Sequence, residues 1–169
     1  MNKNRKMIKR LAYLGICTSM ALILSWVELM LPPIYSAIPG IKIGLPNIVI
    51  IFLLYRFGWR EAASVSLVRI SIVALLFGNP MTFAYSFAGG LLSLGAMILL
   101  KKLDFLSCVG VSVAGGILHN VGQIIMAVII LGTAEIAYYL IVLSVTGTVA
   151  GIFVGIAGGL LNKKIPNLK

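Results

Sequence analysis

Acidic residues are nearly missing from this chain. Glu28, Glu61, Asp104 and Glu135 are the whole set in 169 residues, and none lies within thirty residues of another. An enzyme that works on a magnesium-bound diphosphate needs carboxylates clustered around the ion, and that cluster is lacking. Histidine is rarer still, with His119 alone. A lone histidine with no carboxylate or thiolate at ligand spacing does not make a metal site, and no Ser-His-acid set suggests itself. Cys17 and Cys108 have no CxxC spacing and read as free, buried thiols. There is no Walker loop, which excludes ATP use by that route. The expectation is a chain that is not an enzyme and carries neither metal nor cofactor.

Charge of both signs is scarce as well, at 11% of residues, against about 25% in soluble domains. What fills the space is apolar: 60% of residues, with a mean hydropathy of +1.09. A soluble protein of this composition could not cover its surface. The net charge of +10 does not point to nucleic acid, because the basic residues sit at the ends of apolar runs instead of along a polar face.

Six runs are long and apolar on all sides, at about residues 11–31, 45–57, 62–77, 82–100, 105–131 and 134–161. Backbone polar groups cannot stay unpaired in lipid, so such runs form helices or a closed barrel, and the lack of period-two alternation favours helices. The reading is an all-α bundle of six transmembrane helices forming one membrane domain over residues 1–169. The first run follows a basic N-terminus and ends in Glu28 and a Pro-Pro pair, so it reads as a retained helix, not a cleaved signal. Twelve of the fourteen Lys and Arg fall on one set of ends, leaving Lys42 on the other side and Arg69 within a span. Lys and Arg collect on the cytoplasmic side, so both termini are expected there, in the cytoplasmic membrane of a bacterium. The second and third runs are short of the ~20 residues needed to cross. Short or broken spans are where transporters place ligand sites.

Four glycines, Gly147, Gly151, Gly155 and Gly159, recur at a spacing of four in the sixth run. Such a stripe lets a second helix approach closely, within the chain or from a partner. Two groups of polar residues stand out against the apolar background. His119 lies near the middle of the fifth run, with Gln123 one turn on and Asn120 beside them. Arg69 lies about 7 residues into the third run, or ~10 Å along a helix, where a cation costs ~2.5–3.5 kcal/mol. Two readings stand for His119, Asn120 and Gln123: contacts to a ligand, or clamps between helices. For Arg69 they are a cation facing a cavity, suited to an anionic or carbonyl-bearing ligand, or a side chain that snorkels to the cytoplasmic side. Asn47 and Asn79 sit at the mouth of the same proposed cavity. Ligand would reach it between residues 32–47, acting as a lid, and the Gly78–Pro80 turn.

Three segments resemble a known family: IPGIKIGLPNIV at residues 38–49, GNPMTFAYSFAGGLLSLGAM at 78–97 and LHNVGQ at 118–123. They are similar to the Gx transporter family of bacterial membrane proteins, also named heptaprenyl diphosphate synthase component I. Pro46 stands where the family pattern has alanine. The resemblance spans nearly the whole chain and implies a fold similar to the substrate-binding S components of energy-coupling factor transporters. It implies a small-molecule ligand, a transmembrane coupling subunit and ATPases as partners beside membrane lipid, and a docking face on helix one of which Ala12, Gly15 and Ser19 are present. It also implies an isoprenoid-, quinone- or flavin-related ligand. The alternative function is a non-catalytic scaffold in a prenyl-diphosphate synthase or membrane redox complex.

Overall fold

The computed structural model describes residues 3–30 and 44–165. It has six α-helices: α1 (Lys3–Met30), α2 (Asn47–Arg56), α3 (Trp59–Phe77), α4 (Pro80–Leu103), α5 (Cys108–Leu131) and α6 (Leu140–Lys164). A turn of 3₁₀ helix at Ala134–Tyr139 leads into α6, and there is no strand among the described residues. Among the described residues, four segments are long and apolar enough to cross a membrane: Met7–Met30, Pro80–Leu103, Cys108–Leu131 and Ala134–Lys164. Their outer faces are greasy, with Leu99, Ile129 and Phe153 among many large apolar side chains left exposed. The chain is a multi-pass membrane protein. The proposed lid lies outside the described residues as far as residue 43.

The second helix is shorter than the sequence suggests, with 10 residues and a length of only ~15 Å. It compensates by burial. Val49 to Leu54 are six consecutive buried residues, so α2 is apolar on every side because every side is covered. It packs between α3 and α6 and also touches α1. Gly58 makes the sharp turn into α3 at φ +127°, a conformation that side chains rarely adopt. The helices α2, α3, α4, α5 and α6 close a ring in which each packs on the next, with α6 returning to α2. Outside that ring α1 lies on α3, burying Cys17, Ala21 and Ser25 at a spacing of four.

Glycines set the distances between the last three helices. A Cβ on Gly116 of α5 would come 2.4 Å from the Gly147 carbonyl oxygen, and one on Gly151 would come 2.6 Å from the Val113 Cα. A Cβ on Gly155 would meet the Val109 Cα at 2.7 Å. The stripe of α6 therefore packs within the chain, against α5. Gly159 has drifted off this contact, its nearest neighbour being the Cys108 Sγ at 3.9 Å from an added Cβ. A helix of 3.6 residues per turn rotates by about 40° at each step of four. Gly158 instead lets α2 in, facing Ile51.

Basic residues gather at one end of the bundle. Arg10 pairs with Glu61 across α1 and α3. Arg56 Nη2 donates to the Ile165 carbonyl at 2.6 Å, and Lys101 Nζ to the Leu54 carbonyl at 2.5 Å.

Candidate functional site

The ring of helices encloses a polar cavity. Asn47 from α2, Arg69 from α3, Ser86 and Ser93 from α4, and His119, Asn120 and Gln123 from α5 line it, and Glu28 reaches it from α1. It offers about 50 Å³ to the centres of water molecules, enough for a few waters and no more. A larger and more apolar chamber of about 260 Å³ adjoins it towards the Phe77 end of α3. Leu29, Ile70, Val73, Ala74, Phe77 and Tyr85 supply its apolar lining. Four residues line both spaces: Glu28, Arg69, Ser86 and Gln123.

Arg69 is thus at the junction of the two chambers. Its Nη1 lies 3.4 Å from Ser25 Oγ, a long contact, and its buried Nε has no hydrogen-bond partner among the described residues. Glu28 acts on it electrostatically. The same carboxylate accepts from the Gly44 backbone N–H and from that of Leu45 at 3.4 Å. Glu28 therefore ties the end of α1 to the chain that leads into α2. The sequence reading did not count Glu28 as a site residue. Its signal was available, because a lone carboxylate in an apolar helix is as costly as a lone arginine.

The three polar residues of α5 divide into different roles. Asn120 is buried, and its Nδ2 donates to the Leu143 carbonyl of α6 at 2.6 Å. That contact is a helix clamp, made where Gly147 lets Nδ2 approach. His119 and Gln123 press instead on α4, at Gly89. A Cβ added there would fall 3.2 Å from His119 Cε1 and 3.0 Å from Gln123 Cγ. Asn79 does not join the group. It is the N-cap of α4, accepting from the Thr82 N–H at 2.8 Å in a reciprocal capping box, and it lines a different hollow with Leu75 and Phe83. Gly15 and Ser19 lie on the exposed outer face of α1.

The clamp has a measurable value. Asn120→Ala leaves the Leu143 carbonyl with the Thr146 hydroxyl, which donates to it at 3.0 Å. Because that acceptor stays satisfied, the expected loss is near the lower limit for a buried hydrogen bond, about 1 kcal/mol. Thermal unfolding in nanodiscs reads it. A purely ligand-contacting Asn120 would leave the unfolding midpoint of the ligand-free protein unchanged.

Comparison with known proteins adds a family relation. The family model described as heptaprenyl diphosphate synthase component I matches residues 17–161. No curated protein and no solved structure matches.

Proposed function

The chain belongs to the heptaprenyl diphosphate synthase component I family, and from that premise we propose that it is the substrate-binding membrane subunit of a small-molecule transporter, similar to an S component. One observation carries the reading: Arg69, whose Nε has no hydrogen-bond partner among the described residues, sits inside the bundle where a polar and an apolar chamber meet. A lipid-embedded fold keeps a buried cation at a cost, and such residues mark ligand or ion paths. Arg69 and Gln123 line the chamber that holds the ligand, an isoprenoid-, quinone- or flavin-related metabolite, and His119 and Asn47 line the small polar cavity that adjoins it.

The protein itself is non-catalytic in this reading. Its carboxylates are far apart in sequence, Glu28 accepts backbone N–H groups and Glu61 pairs with Arg10. The clustering of Arg10, Arg56 and Lys101 at one end supports a bundle with both termini cytoplasmic, in a bacterial cell membrane. A transmembrane coupling subunit and ATPases would supply the energy. The alternative, a scaffold for a prenyl-synthesis or redox complex, draws on the glycine stripe of α6, of which Gly147, Gly151 and Gly155 are already taken up by α5.

The test is retention of metabolites from a cell extract by the purified protein in nanodiscs, read by mass spectrometry. Wild type should retain a small molecule that Arg69→Ala releases, with an affinity loss of roughly 100-fold for a charged hydrogen bond and its ion contact. His119→Ala should weaken it less, by about 10-fold. Wild-type protein that retains nothing, with both variants still assembling into the native complex, decides for the scaffold.

A further inference from the structure

The two chambers differ in a way that restricts the ligand. The polar cavity has room only for waters, at about 50 Å³, whereas the apolar chamber has about 260 Å³. A ligand body therefore fits the side chamber, between α1, α3 and the first turns of α4, and not the space around His119 and Asn120. That chamber approaches the lower range of small-molecule pockets. It is apolar along Leu29, Ile70, Val73 and Phe77. Its charged groups are one-sided, with Arg69 and Glu28 at the junction beside Ser86 and Gln123, while Ser25, Thr82 and the Tyr85 hydroxyl add only neutral polar groups elsewhere on the wall.

The hydrogen-bonding capacity at that junction is unequal. Glu28 already accepts two backbone N–H groups through Oε1. Arg69 carries five donors and no acceptor, and holds only the long Ser25 contact among its described hydrogen bonds. Gln123 adds an amide NH₂ and one carbonyl acceptor, which leaves the five donors of Arg69 in excess. The surplus is of donors, so the fitting head is an acceptor, and a carboxylate matches the guanidinium fork best. The chamber also lies where α1 and α4 both rest on α3 but barely touch each other among the described residues.

On the proposed transport reading, we infer that the substrate is a small amphiphilic monocarboxylate. Its carboxylate meets Arg69 at the junction, and its compact apolar body occupies the chamber between α1, α3 and α4. The inner polar cavity behind the head is too small for the ligand body. Specificity then has two independent parts, a charge part at Arg69 and a volume part at Val73 and Phe77.

The probe is tritiated geranic acid, a branched ten-carbon carboxylate, with geraniol as its uncharged counterpart. Binding is measured by scintillation proximity on full-length protein in nanodiscs, with empty nanodiscs subtracted. Wild type should bind geranic acid saturably and at least 10-fold more tightly than geraniol. Arg69→Gln should remove that preference and leave geraniol binding within twofold. Val73→Phe and Val73→Trp should lower binding of both probes in a graded manner, about 10-fold and then more. Leu75→Trp, on the outer face of α3 and 84% exposed, should change nothing and shows that a tryptophan in α3 is tolerated. Saturable binding that ignores both Val73 variants, or an acid preference that survives Arg69→Gln, overturns the two-chamber site. If wild type retains a hydrophilic metabolite that geranic acid does not displace, the inferred ligand class is wrong while the transport reading stands. If wild type binds neither probe nor any metabolite, both fail together.

Discussion

Gly151→Ala should lower the unfolding midpoint of the protein by roughly 5–10 °C, while Gly15→Ala leaves it unchanged or raises it slightly. The two substitutions are chemically identical and both fall in membrane helices. They differ in what the new methyl meets. At Gly151 it would lie 2.6 Å from the Val113 Cα and 3.0 Å from the Ser112 carbonyl oxygen. Backbone atoms cannot turn aside as a flexible side chain can, so α5 and α6 must separate. Separation also stretches the Asn120 contact to Leu143 and opens the wall of the polar cavity. Overpacking of this kind costs about 1–3 kcal/mol. At Gly15 nothing lies within 4 Å of the added carbon, and alanine is the better helix former by up to ~1 kcal/mol. Gly159→Ala, facing only Cys108 at 3.9 Å, should resemble Gly15 and not Gly151, although it is in the same stripe. Equal losses at Gly151 and Gly159 would mean that the stripe acts as a unit and that the described packing is wrong.

Glu28→Gln should be the most damaging change at the chamber junction, at about 2 kcal/mol, within the range for hydrogen bonds to a charged group. It leaves the Arg69 guanidinium without its nearby anion and weakens the acceptor for Gly44 and Leu45. The double variant Glu28→Gln with Arg69→Leu should recover at least half of that loss, because the uncompensated cation is gone. Arg69→Leu alone should cost less than Glu28→Gln, since the remaining carboxylate keeps its backbone donors. Ligand binding should stay lost in both variants that lack Arg69. Thermal unfolding of all four proteins in nanodiscs completes the cycle. Additive losses would show that Glu28 and Arg69 do not act on each other.

Much of this site was legible in the one-dimensional pattern. Arg69, His119 and Gln123 stood out because a polar side chain in a lipid-spanning run is rare and costly, and all three line the chambers. Asn47 was placed near the cavity mouth and lines the polar cavity. Asn79 was assigned to the same mouth, but its proximity in the sequence to the Gly78 turn carried no information about direction. Its side chain caps α4 instead. The bias of basic residues to one set of ends foreshadowed the cluster formed by Arg10, Arg56 and Lys101.

Hydropathy alone determined that the chain lives in a membrane and that its segments are helices. Both follow from the cost of leaving backbone groups unpaired in lipid, a cost that each segment meets or fails by itself. Other features depend on a second segment that no local pattern contains. Only the tertiary structure decided that α2 could be 10 residues long, because α3 and α6 cover it. It also decided that Asn120 would clamp α6 while His119 turned to α4, and that Gly158 would receive α2 while Gly159 stood aside. A helical stripe states which residues share a face. Which neighbour that face meets, and how closely, is set by the other helix.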